Sequence, residues 1–127
     1  MEYVSTNNAP NAIGPYSQAV KANGLLFTSG QIAINPETNS VEAVTVEEQT
    51  EQVCKNLKAV VEAAGSDMTK VVKTVCFLAD INDFAKFNEV YGRYFVSKPA
   101  RSCVAVKDLP KGVLCVLDLP EEGGKRE

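Results

Sequence analysis

Histidine and tryptophan are both absent from this chain of 127 residues. Without histidine, the sequence excludes Ser-His-Asp and Cys-His catalysis, histidine general bases and zinc sites that contain a histidine ligand. Any chemistry must therefore come from Arg, Lys, Asp, Glu, Tyr, Cys or Ser side chains, or from the backbone.

Long apolar runs and an excess of basic residues are also missing. A membrane-spanning helix needs about 18 consecutive apolar residues, and the sequence contains no such run. The 13 Lys and Arg residues are scattered and are outnumbered by 16 Asp and Glu residues, which argues against nucleic acid as a partner. The first residues, MEYVSTNNAP, do not resemble a signal peptide, and we expect a cytoplasmic protein.

The chain length is typical of one domain, which we place over 1–127 with a polar C-terminal tail over 121–127. The sequence has 4 cysteines and no Cys-x-x-Cys pair. Because each cysteine lies among apolar residues, we expect reduced and mostly buried thiols at Cys54, Cys76, Cys103 and Cys115.

Turn and capping signals mark a hairpin and a first helix. Asn23-Gly24 predicts a type I′ turn between strands over 18–22 and 25–29. Thr45 and Glu48 have the spacing of a capping box ahead of an apolar helical stripe, which ends before Gly65.

The second half of the chain alternates strands with one more helix. Strands are predicted over 71–79, 101–106 and 113–119, with Pro120 ending the last one. Between the first two of these strands, Asp80 or Asn82 is expected to cap a helix whose apolar stripe comprises Phe84, Phe87, Tyr91 and Phe95. A short edge strand is also predicted over 3–5. The element order is therefore β-β-β-α-β-α-β-β, an α+β fold with two helices on one face of a sheet.

The strand over 71–79, VVKTVCFLA, is apolar on both faces, and two helices can cover only one of them. We infer that subunits of an oligomer cover the second face. The alternative is that the loop over 31–45 folds over it.

A few polar residues stand out against this pattern. Arg101 begins an apolar strand, where it forms a structural ion pair, reaches to solvent, or binds a ligand carboxylate through its planar fork. Asp118 lies between two leucines, either on a solvent face or aimed into a pocket where it activates water. Tyr16 is a core residue or a ligand wall, and Asn88 beside the second apolar stripe fits a buried structural amide. Ser29-Gly30 ends a strand, either as an ordinary turn or as a break that presents backbone N–H groups to a ligand.

Together these residues fall within a set of motifs that resembles the RidA family (also called the YjgF family) of enamine/imine deaminases. The resemblance covers about residues 3–115 and rests on Ala12-Ile13-Gly14-Pro15-Tyr16-Ser17-Gln18-Ala19, Phe27-Thr28-Ser29-Gly30-Gln31-Ile32, Val61-Glu62-Ala63-Ala64-Gly65, Val72-Lys73-Thr74, Asn82-Asp83-Phe84, Phe87-Asn88 and Pro99-Ala100-Arg101-Ser102-Cys103-Val104.

This resemblance implies a chorismate-mutase-like mixed β-sheet with two helices on one face, and a homotrimer with ligand sites between subunits. It implies hydrolysis of short 2-iminoacids, such as 2-iminopropanoate and 2-iminobutanoate, to 2-ketoacids and ammonia, with no cofactor and no metal. Because their positions match those of the family motifs, Arg101 would bind the substrate carboxylate and Tyr16 would form one wall of the site. The remaining lining residues would be Ser29, Gly30, Asn88 and Cys103.

The chain departs from the family in its last strand. The family usually carries two glutamates there, the second of which orients the hydrolytic water, whereas this chain has Val116 and Asp118. Asp118 is thus a shorter candidate for the catalytic acid. A non-catalytic module that binds small carboxylates or 2-ketoacids remains the alternative, and a translation-inhibitor or ribonuclease role is a third reading.

Overall fold

The structure is a computed structural model that describes residues 1–122. Two α-helices, α1 (Val46–Ala63) and α2 (Phe84–Tyr94), alternate with short strands. The strands are β1 (Glu2–Val4), β2 (Ala19–Ala22), β3 (Leu25–Thr28), β4 (Ile34–Asn35), β5 (Ser40–Val41), β6 (Lys73–Leu78), β7 (Ala100–Ala105), β8 (Cys115–Asp118) and β9 (Pro120–Glu122). The predicted α+β class is confirmed, with a β4–β5 hairpin and β9 as additions.

The first helix and the first hairpin form where their sequence signals predicted them. Thr45 Oγ1 accepts the Glu48 N–H and the Glu48 carboxylate accepts the Thr45 N–H, each at 3.2 Å, which completes the capping box of α1. Between β2 and β3, Asn23 and Gly24 have φ values of 53° and 76°, as the two central residues of a type I′ turn require.

The start of the second helix differs from its prediction. Asp80 caps a 3-10 turn over Ile81–Asp83, and Asp83 precedes α2 without a side-chain capping bond. Phe87 lies in the core, as predicted, whereas Phe84 is 36% exposed. Phe84 is the first residue of α2 and stands at the end of the apolar stripe, so its side chain is only partly covered.

Two sheets are joined through the C-terminal strands. β1, β2, β3 and β9 form an antiparallel sheet, while β6 pairs with β7 in parallel and with β8 in antiparallel fashion. Only Leu119 separates β8 from β9, and the isolated bridges Gln31–Leu117 and Val71–Glu121 connect the two sheets further. These seven strands therefore make one continuous mixed sheet, and the β4–β5 hairpin is separate from it.

The core lies on the face of this sheet that carries the helices. Thr74, Cys76 and Leu78 of β6 point toward the helices and are fully buried. On the other face, Val75 and Phe77 are only half-buried, and Val104 of β7 is 47% exposed. We call this second side the outer face.

The loop over 31–45 does not cover the outer face. The Asn56 side chain of α1 donates to the carbonyl groups of Ile32 and Ile34, and the Gln49 side chain donates to the carbonyl of Ala43. These bonds hold the loop against α1, so the prediction that it folds over the second face as an alternative cover is wrong.

The C-terminal tail prediction is wrong for its first two residues. Pro120 begins β9 instead of ending the sheet, because a proline can occupy the first position of a strand. β9 pairs with β3 in a register that sets Glu121 opposite Leu26, and Glu121 is wholly buried. The rest of the predicted tail, 123–127, lies outside the described residues.

Two further predictions can be compared with the described residues. Cys54, Cys76 and Cys115 are buried and Cys103 is half-buried, all as free thiols, which confirms the prediction of reduced cysteines. Within residues 1–122, no helix combines the length and apolarity needed to cross a membrane.

Candidate functional site

Five of the seven predicted site residues line two separate cavities, and Cys103 and Asp118 line neither of them. One, of about 590 Å³, includes Tyr16, Ser29 and Gly30, and the other, of about 720 Å³, includes Asn88 and Arg101. The cavities share no lining residue. One chain therefore presents two half-sites, which we call the bulge half-site and the arginine half-site.

The bulge half-site is built on an irregularity between β3 and β8. The Thr28 N–H donates to the Leu119 carbonyl at 3.0 Å, and the Gln31 N–H donates to the Leu117 carbonyl at 2.8 Å. Ser29 and Gly30 together therefore stand opposite the single residue Asp118. This two-against-one pairing is a β-bulge, a feature that often re-aims groups beside functional sites.

Glycine is the only residue type that fits at position 30 of this bulge without displacing the Val116 side chain. A Cβ atom at position 30 would lie 2.9 Å from the Cγ1 atom of Val116. Val116 and Asp118 alternate along β8 with the buried Cys115 and Leu117, so both belong to the outer face. The close approach brings the exposed Gly30 backbone beside that face.

Asp118 is half-buried next to the bulge. Burial raises the pKa of its carboxyl above the ordinary range for aspartate. No ion pair or hydrogen bond of this carboxylate is found within the described part of the chain. Both predictions for Asp118, a charge on the solvent face and a carboxylate aimed into a cleft, therefore remain open for a single chain.

Tyr16 belongs to the wall of the same half-site. Its side chain is 55% exposed, so the reading as a core residue is wrong. The loop before it is held by Gln18, a buried residue whose side-chain amide donates to the carbonyls of Thr6 and Pro10. Sequence reasoning missed this role for Gln18, because an amide in a strand gives no signal of the loop it will anchor.

The arginine half-site lies between β7 and α2. Arg101 is half-buried, and its Nη1 donates to Asn88 Oδ1 at 2.6 Å. Its Cζ atom lies 5.2 Å from the centroid of the Phe84 ring and 4.9 Å from that of Tyr91. The one ion pair found in residues 1–122 joins Arg93 and Glu89, so the structural ion pair considered for Arg101 is wrong.

Asn88 belongs to this half-site, whereas Cys103 lies on the same strand as Arg101 but outside the cavity. Asn88 is half-buried, and its side-chain oxygen holds Arg101, which corrects the prediction of a buried structural amide. Cys103 stands two residues beyond Arg101, opposite Cys76 of β6. Burial raises the pKa of the Cys103 thiol, and the nearby Arg101 charge only partly opposes this. The thiol is thus suited to line a site rather than to act as a nucleophile.

The profile of the endoribonuclease L-PSP family, also called YjgF, matches residues 6–116. The chain belongs to this family. A RutC family protein of Pyrococcus horikoshii is 51% identical over 118 residues, which is 92% of this chain and 94% of that protein. The Arabidopsis thaliana protein named Reactive Intermediate Deaminase A, chloroplastic, is 51% identical over 86% of this chain and 59% of its own length.

YjgF-type structures confirm the fold. The crystal structure of Escherichia coli TdcF with bound serine superposes with a TM-score of 0.92 at 39% identity, covering 96% of this chain and 98% of that one. The resemblance to RidA-type proteins and the mixed α+β architecture with two helices are therefore both confirmed.

Proposed function

We propose that this protein hydrolyses short reactive 2-iminoacids, such as 2-iminopropanoate and 2-iminobutanoate, to 2-ketoacids and ammonia. It does so without a cofactor, in clefts between the subunits of a homotrimer. The substrate carboxylate binds Arg101, while Tyr16, Ser29, Gly30, Asn88 and Cys103 line the cleft. Asp118 handles the water that attacks the imine carbon.

The observation that carries this proposal is the state of Arg101. A half-buried guanidinium without an acidic partner in residues 1–122 is costly unless a ligand supplies the anion. Asn88 accepts from Nη1 alone, which leaves Nε and Nη2 for a carboxylate. Two parallel hydrogen bonds from these nitrogens match the two oxygens of a carboxylate.

The reaction consumes one water molecule and needs a group that first accepts and then donates a proton. Water adds to the carbon of the protonated imine and passes one proton to Asp118, giving a neutral tetrahedral carbinolamine. Asp118 returns that proton to the amino nitrogen. As the carbon–nitrogen bond breaks, the carbinolamine hydroxyl gives up its proton to the departing ammonia, so ammonium leaves and the 2-ketoacid remains. A raised pKa brings an aspartate closer to the working pH, which favours both transfers.

An assembly is required for these groups to meet. Within one chain the strand register puts Arg101 and Asp118 on opposite faces of the sheet, and the outer face is uncovered. Association of subunits through outer faces buries Phe77 and Val104. Because β7 is an edge strand, a neighbour that also packs along this edge sets its bulge half-site beside Arg101. Apolar surface of this kind is typical of homo-oligomer interfaces.

The named relatives support a small carboxylate substrate. The Arabidopsis thaliana relative is named for reactive-intermediate deamination, and Escherichia coli TdcF binds serine, an amino acid with a free carboxylate. The net charge of −3 and the absence of histidine favour such a ligand over RNA. Four free thiols fit a reducing compartment, and we propose the cytoplasm.

A second candidate function is carboxylate binding without turnover. Asp118 is one methylene shorter than the glutamate that the resemblance leads one to expect at this position. A cleft that binds 2-ketoacids but positions water poorly would act as a sensor of those compounds.

One assay separates the two functions. A pyridoxal-phosphate dehydratase releases imine from serine or threonine in the presence of semicarbazide, which traps the imine. A deaminase competes with the trap and lowers semicarbazone formation in proportion to its concentration. Competition by the native protein and none by Arg101→Ala supports the enzyme. Binding of 2-ketobutanoate without competition supports the sensor. If the protein neither competes with the trap nor binds 2-ketobutanoate, the proposed site is wrong.

A further inference from the structure

Arg101 lies between two aromatic rings on α2, and no role has yet been given to them. Its Cζ atom is 5.2 Å from the Phe84 centroid and 4.9 Å from the Tyr91 centroid. Both distances fall within the range of favourable cation–π contact, about 6 Å. The guanidinium therefore has three contacts from one helix: two rings and the Asn88 oxygen.

Tyr91 is itself held firmly. Its hydroxyl bonds the Thr74 hydroxyl at 2.7 Å, and its ring stacks on Phe95 with centroids 4.3 Å apart. Thr74 stands directly opposite Arg101 in the parallel β6–β7 register. The hydroxyl bond thus ties Tyr91 to the strand position beside Arg101.

Phe84 contributes little to the core for a phenylalanine. It is 36% exposed at the first position of α2, whereas Phe87 of the same helix is fully buried. Its ring faces the Arg101 guanidinium. The contact to Arg101 explains why a large aromatic residue stands at a position that leaves so much of it in solvent.

We propose that Phe84 and Tyr91 are positioning residues that hold the Arg101 guanidinium in one orientation, with Nε and Nη2 free for a ligand carboxylate. This inference rests on the proposed function, because it assigns Arg101 the carboxylate. Asn88 fixes one nitrogen, and the rings restrict rotation of the plane about that bond. An arginine ordered before binding loses less entropy when the carboxylate arrives.

The test is calorimetric titration of 2-ketobutanoate into variants of position 84. Phe84→Ala should weaken binding about 3- to 30-fold, the range of a cation–π contact. Phe84→Leu should weaken it similarly despite its apolar bulk, and Phe84→Tyr should restore it. In an Arg101→Ala background, Phe84→Ala should cause no further loss. The matched control is Ile81→Ala, which removes a side chain 53% exposed in the turn before α2 and away from Arg101.

A loss from Phe84→Ala that persists in the Arg101→Ala background, or wild-type affinity in Phe84→Leu, would overturn the proposal. If the native protein binds no ketoacid, the proposed function fails. The positioning of Arg101 by Phe84 is then tested in the free protein instead. The Arg101 Nε–H proton should then show an upfield ring-current shift in NMR spectra that Phe84→Ala reduces and Ile81→Ala leaves unchanged. An unshifted proton would show that Phe84 does not hold the Arg101 guanidinium and would overturn this proposal as well.

Discussion

Arg101 and Asp118 leave the same three-stranded sheet on opposite faces. In the strand register, Arg101 stands opposite Thr74 and Asp118 stands opposite Val75, the next residue along β6. Because successive side chains of a strand alternate between faces, the guanidinium and the carboxylate diverge. Two groups proposed for one reaction are therefore separated by the sheet within a single chain.

Mixing two inactive variants tests whether neighbouring subunits unite these groups. We expect Arg101→Ala and Asp118→Asn each to be inactive alone. After joint denaturation and refolding in equal amounts, about a quarter of the sites in a cyclic homotrimer combine an intact Arg101 with a neighbour's intact Asp118. Activity should thus return to about a quarter of the native value in the imine-trapping assay. No recovery, although sedimentation shows mixed trimers, would place both groups in one subunit's site.

Removal of the Arg101 charge should strongly weaken ligand binding while the fold persists. Loss of a bidentate, charge-assisted contact costs about 2–4 kcal/mol, or roughly 30- to 1000-fold in kcat/KM. Arg101→Lys should recover little, since an ammonium cannot reproduce the planar fork. Arg93→Ala is the control, because Arg93 forms an exposed ion pair with Glu89. Near-native kcat/KM in Arg101→Ala would exclude it as the carboxylate ligand.

Substitutions of Asp118 should act on turnover rather than on affinity. Asp118→Asn removes the proton acceptor and should lower kcat with little change in 2-ketobutanoate affinity. Asp118→Glu extends the carboxylate by about 1.5 Å. A displacement of that order changes rates by up to about 100-fold, and we expect this variant to raise kcat. Asp108→Asn, an exposed acid in the preceding turn, is the control. Equal kcat in all these variants would reduce Asp118 to a surface charge.

The bulge should tolerate no side chain at position 30. In Gly30→Ala, the new Cβ meets Val116 Cγ1 at 2.9 Å, so the bulge or β8 must shift. We expect roughly 10- to 100-fold lower kcat/KM. The double variant Gly30→Ala/Val116→Ala should regain part of it, because the obstructing methyl is gone. Native activity in Gly30→Ala would show that the close approach is unimportant.

Glu121 should make stability depend on pH. Burial raises the pKa of this wholly buried carboxyl from 4.5 to about 7 in the folded protein. Ser66 and Lys70 oppose that rise, and Asp67 adds to it. The folded state thus favours the neutral acid. The contribution of Glu121 to the free energy of unfolding is therefore complete below about pH 4.5 and is lost as the pH rises through about 7.

Urea unfolding at about pH 5 and about pH 8 measures the effect, which should be on the order of 2 kcal/mol. Glu121→Gln should flatten the difference, because an amide stays neutral at both pH values. Glu122→Gln alters the exposed neighbour and should leave the pH dependence as it is. An unchanged slope in Glu121→Gln would assign the dependence to another group.

Local signals predicted the parts of the fold that depend on local chemistry. The Thr45–Glu48 capping box and the Asn23-Gly24 turn act over four residues or fewer, and both formed as expected. β9 could not be predicted, because glutamates in a charged run are typical of solvent-exposed segments. The segment becomes a strand only through its antiparallel pairing with β3, which is distant in the sequence. The bulge escaped prediction for a similar reason: it depends on how residues 28–31 meet residues 117–119, nearly ninety positions away.

The candidate site shows the same division. Sequence motifs selected Arg101, Asn88 and Tyr16, but they carry no information on which face each side chain takes. The opposition of Arg101 and Asp118 follows from pairing between three strands, which a single sequence does not specify. Periodicity places Phe84 on the apolar stripe of the second helix, but its contact with Arg101 depends on how α2 packs against β7.

The division into two half-sites has a consequence for mass action. If each cleft needs two chains, the number of competent sites varies with the extent of assembly and not simply with the amount of folded protein. Dilution below the association midpoint would then lower specific activity, and added 2-ketoacid, which bridges the two halves, would promote assembly. Ligand and subunit would thus stabilise each other's binding by the same factor, as thermodynamic linkage requires.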